Sequence, residues 1–210
     1  MARTLVIDTA TAACSVALIE GGAVTASAHE VVGRGHAERL LPMIAELPEG
    51  GRASRVLVDC GPGSFTGVRV GLAAALALGL AWQAPVAGYI STALIAAAGF
   101  AAHAELAELA VVMEGGHGEL FMQPYAASPF AAISPLASLS PAGVLDALGD
   151  RPAIGSGVRW LNGLDPGRDL GPALPRAADV LLLPDDFIQL PPRPIYGRAP
   201  DAKPMAQPPA

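Results

Sequence analysis

The residues with the clearest potential for chemistry lie at the end of the first predicted strand. Asp8 ends the short apolar run Thr4–Asp8, and Thr9 and Thr11 follow in the turn before the next apolar run. A carboxylate in this position can hold a magnesium ion through water, while the hydroxyls and amides of the turn meet a phosphate group. Many first strands also end in aspartate at a turn for structural reasons alone. The segment therefore indicates either a phosphate-binding hairpin or an ordinary turn.

A glycine-rich turn, GPGSFTG at Gly61–Gly67, is the second candidate. Glycines before a helix can aim backbone N–H groups at an anion. A Walker A loop needs a lysine after its last glycine, but the nearest basic residue here is Arg69, inside the next predicted helix. Ser64 lacks the GxSxG elbow that exposes a hydrolase nucleophile. The turn is consistent with an anion site or with a tight strand-to-helix connection, and serine catalysis is not expected.

The histidines do not predict a metal site. His29 and Glu30 begin like the HExxH helix of a zinc protease, but Gly33 stands where the second ligand would be. The other three histidines have no ligand spacing either: His36, His103 and His117. We therefore predict no metal and no cofactor.

Composition limits the class of protein further. The chain has 210 residues, of which 52 % are hydrophobic, and this is enough for one large domain or two small ones. The uncharged run Val70–Trp82 falls short of the roughly 20 residues that a membrane span needs, and the chain starts with a strand pattern rather than a signal sequence. We therefore expect a cytoplasmic protein. The net charge is −6 and Lys203 is the single lysine, so the chain is not expected to bind nucleic acid by itself.

Two apolar helices are predicted in the first half. From His36 to Leu47 the apolar residues recur on one helical face, and Pro42 predicts either a kink or a regular helix that begins near Leu41. The second helix, from about Thr66 to Trp82, is apolar on nearly every side. A helix without a polar face is buried in a core or covered by another protein.

The chain as a whole divides into three predicted parts. Residues 1–100 form an N-terminal lobe with the order β-β-β-α-β-α, in which Ser91 caps the last helix. Residues 101–193 form a smaller C-terminal α/β lobe, with a short helix that starts at Ser140 and Pro141. Residues 194–210 are proline-rich and are expected to be a largely disordered tail.

Three segments in this order resemble the TsaB (YeaZ) family: Ile7–Leu18, His36–Ile44 and Gly61–Ala73. Further along, Glu114–Phe121 keeps a glycine and a glutamate of a family segment but lacks its arginine. The resemblance implies a two-lobed α/β fold of the actin-like ATPase, sugar kinase-like (ribonuclease H-like) type with a degenerate nucleotide site. The sequence is consistent with a degenerate nucleotide site, because no second phosphate loop follows the first hairpin. Asp8, Thr9 and Thr11 would then be a vestigial nucleotide-binding site.

The resemblance also implies a role. TsaB-like proteins pair with TsaD, which transfers threonylcarbamoyl to the adenosine beside the tRNA anticodon, and through this complex with the ATPase TsaE. They form a homodimer when TsaD is absent. The chain would then be a non-catalytic activator that binds TsaD through its first two helices and contacts tRNA only indirectly. The residues expected at that surface are His36, Arg39, Leu40, Leu41, Ile44, Val68, Arg69, Leu72 and Leu76.

Two other functions are compatible with the residues. The first is an enzyme of the actin-like ATPase or glycoprotease-like class, with its own nucleotide or peptide substrate. Asp8 and the Gly61–Gly67 turn are its support. The second is a homodimeric structural protein that makes no complex with TsaD.

Overall fold

The chain folds into two lobes, each built on a five-stranded sheet. The structure is a computed structural model that describes residues 2–198. The strands are β1 (Arg3–Asp8), β2 (Ala13–Glu20), β3 (Ala23–Val31), β4 (Arg55–Asp59), β5 (Val86–Tyr89), β6 (Glu108–Gly116), β7 (Glu119–Ala127), β8 (Phe130–Ala132), β9 (Ala137–Leu139) and β10 (Ala153–Ile154). The α-helices are α1 (His36–Ala45), α2 (Phe65–Trp82), α3 (Ser91–Ala102) and α4 (Pro141–Leu148), and 3-10 turns lie at Pro48–Gly51, Val158–Trp160, Pro166–Arg168, Ala177–Leu182 and Asp185–Ile188.

The first sheet has the strand order β3-β2-β1-β4-β5. β1, β2 and β3 form the predicted antiparallel meander, while β4 and β5 run parallel to β1. The carboxyl ends of β1, β4 and β5 therefore lie at one edge of the sheet. With the helices that connect them, these strands confirm the α/β fold class, and the first lobe has the order β-β-β-α-β-α-β-α, which adds β5 and α3 to the predicted order.

The two faces of the first sheet belong to different cores, because successive side chains of a strand point to opposite sides. Leu5 and Ile7 of β1 pack with the buried residues of α1 and α2. Val6 packs on the other side, with α3 and the second lobe. The sheet thus places α1 and α2 on its outer face and α3 between the two lobes.

Helix α1 is regular from His36 although it contains Pro42. The proposed late start near Leu41 is therefore wrong. The helix buries Met43 and Ile44 against the sheet and leaves Leu41 in solvent.

Helix α2 has two different faces. Its inner face, with Val68, Leu72 and Ala75, is buried in the core of the first lobe. Its outer face leaves Leu76 and Leu80 exposed. The helix has 18 residues and passes the length and composition test for a membrane span, a test that core helices of water-soluble proteins also pass.

Helix α3 connects the two lobes. It packs on β6 and β7 of the second sheet as well as on the first sheet. Ser91 is its first helical residue and not its N-cap, a position that Ile90 holds without a side-chain hydrogen bond. The predicted capping role of Ser91 is wrong because its hydroxyl donates to Asp59 instead.

The second lobe has a sheet with the order β10-β6-β7-β8, and β9 also pairs with β7. Helix α4 covers one face of this sheet through Val144 and Leu148. As predicted, it begins at a serine and a proline, because Ser140 Oγ accepts the N–H of Gly143 at 3.2 Å.

The last part of the described chain returns to the first lobe. Ala177 N donates to Ser15 Oγ at 3.0 Å, and Ile195 N donates to the Cys60 carbonyl at 2.7 Å. The structure thus differs from the expected division in two ways. Residues 177–193 pack on the first lobe as well as the second, and 194–198 are hydrogen-bonded to it, whereas 199–210 lie outside the described residues.

Candidate functional surface and cleft

Two buried carboxylates lie at the carboxyl ends of neighbouring parallel strands. Asp8 ends β1 and lies 3.0 Å from the hydroxyl of Tyr89, at the end of β5. Asp59 ends β4 and accepts hydrogen bonds from Ser91 Oγ at 2.6 Å and from the N–H of Gly61 at 2.9 Å. Both are fully enclosed, so their oxygens are satisfied by protein groups.

Burial shifts the acid–base behaviour of this network. Burial raises the pKa of Asp8 well above its ordinary value, and the nearby charge of Asp59 raises it further. Burial also raises the pKa of Asp59 to about 7, against the hydrogen bonds from Ser91 and Gly61, which lower it. The pKa of Tyr89 is raised too, chiefly by burial and then by the charge of Asp8.

The first hairpin turn does not present its three predicted residues to one site. The Thr9 hydroxyl donates to the carbonyl of Gly67 at 2.8 Å, in the first turn of α2. Thr11 Oγ1 accepts the N–H of Ala13 at 3.2 Å, and of the three predicted residues Thr11 alone lines the large cleft between the lobes. Thr9 is therefore part of the packing between β1 and α2, whereas Asp8 is held by Tyr89 of β5 and by the N–H of Ala10.

The glycine-rich turn packs directly on that hairpin. A Cβ at Gly63 would lie 2.0 Å from the carbonyl oxygen of Ala10, and one at Gly67 would lie 2.1 Å from that of Thr9. The N–H of Ser64 donates to Ala10 O at 2.6 Å, and Ser64 Oγ caps the helix by accepting the N–H of Gly67 at 3.2 Å. The segment is thus a tight strand-to-helix connection, the second of the two predicted alternatives.

A cleft of about 880 Å³ separates the lobes. Its first-lobe wall comes from the β1–β2 turn, the β3–α1 loop and the start of α2, and its second-lobe wall comes from the β6–β7 hairpin and Ser156. Among residues 2–198 three arginines line it, Arg34, Arg69 and Arg198, and Arg198 is paired with Glu119 at 3.5 Å. Basic side chains and a helix start at one cleft favour an anionic occupant.

The outward faces of α1 and α2 form a second surface, which we call the helix-pair face. The two helices contact each other, and the exposed apolar residues that we assign to this face are Ala37, Leu41, Ala45, Ala73, Leu76, Ala77 and Leu80. Leu41 is 54 % exposed, Leu76 47 % and Leu80 84 %. Apolar side chains grouped in this way on a surface are typical of protein interaction sites.

Five residues predicted for the partner surface are buried inside the subunit. These are His36, Leu40, Ile44, Val68 and Leu72. They lie on the inner sides of the two helices, which on α2 also carry small residues such as Gly71 and Ala75. These five side chains are at most 5 % exposed in the single subunit, so their prediction as exposed surface residues is wrong. Leu80, which sequence reasoning missed, is the most exposed leucine of the face.

The remaining predicted surface residues are accessible. Arg39 pairs with Glu30 at 2.6 Å and with Glu46 at 2.8 Å, so its guanidinium bridges β3 and the end of α1. Arg69 donates to the hydroxyl of Tyr196 at 2.7 Å. Its guanidinium carbon also lies 3.3 Å from the centroid of the Phe65 ring. Both arginines therefore lie at the edges of the helix-pair face.

The segment that departs from the family pattern is the β6–β7 hairpin. Glu114 accepts hydrogen bonds from Arg159 Nε at 3.0 Å and from the Trp160 indole. Glu119 accepts from Ser138 Oγ at 2.7 Å. Within residues 2–198 no group of three or more His, Cys, Asp and Glu side chains is placed to hold a metal ion.

This geometry defines the class of protein. It is a two-lobed α/β protein with an exposed helix pair and a cleft between its lobes. A family model described as "TsaD: tRNA N6-adenosine threonylcarbamoyltransferase" matches residues 23–128, which is half of the chain. The chain belongs to this family, and its likeness to proteins named TsaB and YeaZ confirms the resemblance found in the sequence.

Two curated relatives have the same name, TsaB. The chain is 36 % identical over 129 residues to the tRNA threonylcarbamoyladenosine biosynthesis protein TsaB of Escherichia coli, covering 59 % of this chain and 54 % of that protein. It is 43 % identical over 106 residues to the TsaB protein of Haemophilus influenzae, covering 47 % and 44 %. The chain thus spans about half of the length of these curated relatives.

A solved structure matches much more of the chain. YeaZ from Pseudomonas aeruginosa superimposes with a TM-score of 0.75 at 26 % identity, covering 93 % of this chain and all of that one. Both lobes therefore share the YeaZ architecture, although the sequence match to the curated relatives covers only part of the chain.

Proposed function

We propose that this chain is the non-catalytic partner of a TsaD-type transferase in the biosynthesis of threonylcarbamoyladenosine in tRNA. The observation that carries the proposal is the helix-pair face. Full burial of a leucine side chain is worth about 1.5–3 kcal/mol. Leu41 and Leu76 leave about half of that energy unused in the single subunit, and Leu80 leaves most of it unused. The names of the relatives supply the process and the identity of the partner.

The shape of the face favours a helical partner. Exposed alanines accompany the exposed leucines on both helices, such as Ala45 on α1 and Ala77 on α2. Small residues let another helix approach closely, so that the leucines can insert beside it. An interface with this composition has the apolar core that is typical of stable complexes.

The same face accommodates a second copy of this chain when the transferase is absent. Contacts with the ATPase TsaE and with tRNA would then be made through the assembled complex. The net charge of −6 supports this arrangement, because direct tRNA binding depends on lysine and arginine contacts with phosphate.

Binding can be tested by calorimetric titration of the chain with the transferase. Leu41→Glu and Leu76→Glu place a charge in the buried interface, so each is expected to weaken binding at least 100-fold. Leu182→Glu is the matched control, because Leu182 is 45 % exposed but its 3-10 turn packs on α3, on the opposite side of the first sheet. Unchanged binding by both helix variants, with melting curves like the wild type, would contradict the proposal.

A separate test concerns catalysis. The support for an enzyme of the ATPase or glycoprotease-like class is Asp8 and the Gly61–Gly67 turn. Asp8 is buried at 0 % exposure and the turn is used in packing, which disfavours a catalytic role for either. Asp8→Asn keeps the size and one acceptor of the side chain. We expect this variant to retain full activity in the reconstituted tRNA reaction. A folded Asp8→Asn variant that binds the transferase but is inactive would favour the enzyme.

A further inference from the structure

We propose that Phe65, Arg69 and Tyr196 form an anchor at one end of the helix-pair face, and that this anchor binds a carboxylate side chain of the helical partner. The inference rests on the proposed function, because it names the chemistry that the partner must present to the same face. Apolar packing has no direction, so the leucines alone cannot fix how a partner is placed. We call these three residues the aromatic–arginine anchor.

The aromatic–arginine anchor is continuous with the exposed leucines of α2. Phe65, Arg69, Ala73, Leu76 and Leu80 follow one another at spacings of three or four residues, so their side chains form one stripe along the helix. All five residues are exposed. A partner helix that covers the leucines and continues toward the start of α2 therefore reaches the anchor.

Arg69 is the one charged residue of α2. One of its N–H groups donates to the hydroxyl of Tyr196 at 2.7 Å, and its guanidinium carbon lies 3.3 Å from the centroid of the Phe65 ring. Both contacts are with neutral groups, and no carboxylate of residues 2–198 forms an ion pair with Arg69. Because a guanidinium has five N–H donors, Arg69 retains donors for a further acceptor.

The anchor is held in place before a partner binds. The centroids of its two rings are 6.0 Å apart at an interplanar angle of 28°. The residues on either side of Tyr196 are fixed to different lobes: Ile195 N donates to the Cys60 carbonyl at 2.7 Å, and Arg198 pairs with Glu119 at 3.5 Å. A group that is already ordered loses little entropy on binding, so the anchor can contribute most of its contact energy to the complex.

A carboxylate is the group that this arrangement fits. A guanidinium can bind a carboxylate through two parallel N–H···O bonds, and such bonds are stronger where water is excluded. The rings of Phe65 and Tyr196, which are 62 % and 48 % exposed, flank the guanidinium and would exclude water once a helix covers them. Arginine and tyrosine are enriched among the residues that dominate binding energy at interfaces. A basic side chain at the same place would be repelled by Arg69.

The test is calorimetric titration of the full chain and its variants with the transferase, without tRNA. We expect Arg69→Ala to weaken binding about tenfold or more. Arg69→Lys should restore only part of the affinity, because lysine keeps the charge but lacks the planar fork. Tyr196→Phe keeps the ring and removes the hydrogen bond to Arg69, so a loss of about threefold is expected.

Arg159→Ala is the matched control. The side chain of Arg159 is 63 % exposed, and its guanidinium carbon lies 5.2 Å from the centroid of the Trp160 ring. This arginine therefore has the same kind of aromatic contact as Arg69, but it lies in the second lobe, away from the helix-pair face. Arg159→Ala should bind the transferase like the wild type.

A double-mutant cycle identifies the carboxylate of the partner. Each aspartate and glutamate on the surface helices of the transferase is replaced by alanine, and its affinity is measured for the wild-type chain and for Arg69→Ala. We expect one of these replacements to weaken binding of the wild type about tenfold and to have little further effect on Arg69→Ala.

Two results would overturn the anchor and leave the proposed function intact. In the first, Arg69→Ala and Tyr196→Phe bind like the wild type although Leu76→Glu does not. In the second, no acidic residue of the transferase couples to Arg69. If Arg69→Ala left transferase binding unchanged but weakened tRNA binding by the assembled complex, the arginine would bind phosphate instead. A wild-type chain that does not bind the transferase would overturn both proposals. A thermal melt of each variant separates lost binding from lost folding.

Discussion

The buried carboxylates Asp8 and Asp59 link the stability of the first lobe to pH. Burial raises the pKa of both, that of Asp59 to about 7, whereas in the unfolded chain they titrate near 4. The folded state therefore holds more protons in this window. The stability from the protonated network is fully present below about pH 4 and is lost as the pH rises through about 7.

We expect the free energy of unfolding to fall by roughly 1–3 kcal/mol between pH 5 and pH 8. Urea denaturation at several pH values measures it. Asp59→Asn removes one titrating group, so its curve should be flatter than that of the wild type over the same range. A wild-type curve that rises with pH, or an Asp59→Asn curve of unchanged slope, would contradict this assignment.

Sequence reasoning found only part of this network. Asp8 was a candidate because it follows the first strand and precedes threonines. Asp59 also ends an apolar strand and precedes a glycine-rich turn, but its importance depends on β1 and β4 being parallel neighbours. Tyr89 joins from β5. A local pattern does not show which strand ends meet, so the pairing could not be predicted.

At the scale of single elements, α2 depends on glycines where it crosses β1. A Cβ at Gly67 would lie 2.1 Å from the carbonyl oxygen of Thr9, which is backbone and cannot rotate away. We expect Gly67→Ala to destabilise the protein by about 1–3 kcal/mol, although alanine is favoured over glycine by about 1 kcal/mol within a helix.

Urea denaturation compares Gly67→Ala with Ala77→Ser, a substitution on the exposed side of the same helix. The serine variant should differ from the wild type by less than about 0.5 kcal/mol. A Gly67→Ala protein as stable as the wild type would show that α2 and the end of β1 do not pack closely at this position.

The two faces of α2 should also respond differently to truncation. Leu72 is 5 % exposed and packs in the core, so Leu72→Ala is expected to cost about 2–4 kcal/mol. Leu80 is 84 % exposed, so Leu80→Ala should change the stability of the free chain by less than about 0.5 kcal/mol. The melting temperatures of the two variants measure the difference. Equal destabilisation would mean that Leu80 is covered within the subunit.

The sequence predicted this helix but not its orientation. Helix α2 is apolar on nearly every side, so no polar face marked which residues meet solvent. The two alternatives were a core helix and a helix covered by a partner. The structure assigns an inner face to the core and leaves an outer face exposed, and five residues predicted for the partner surface fall on the inner faces of α1 and α2.

At the scale of the whole molecule, the last described segment joins the two lobes, because residues 177–198 contact the first lobe. The two sheets fall in the two segments that the element order predicted, because each strand and helix has a local pattern. The return of residues 177–198 to the first lobe could not be predicted, because a proline-rich segment has no periodicity and its contacts are distant in sequence. The hydrogen bond from Ile195 to Cys60, for example, joins residues 135 positions apart.

The shared core around α3 determines how the molecule unfolds. Leu94 and Ile95 are buried with Val6 of the first sheet and with Leu109 and Val111 of the second. Opening either lobe would expose this core, so neither sheet has an independent interior on that side. We therefore expect the two lobes to unfold in one cooperative transition.

The two tryptophans make this testable, because Trp82 lies in the first lobe and Trp160 in the second. Trp160→Phe leaves a fluorescent reporter in the first lobe, and Trp82→Phe leaves one in the second. For each variant, the urea midpoint from tryptophan fluorescence should coincide with that from far-ultraviolet circular dichroism. Because Leu94→Ala removes side-chain volume from the shared core, it should lower the midpoints seen by both reporters equally. If it shifted one reporter alone, the lobes would be separate folding units and α3 would belong to only one of them.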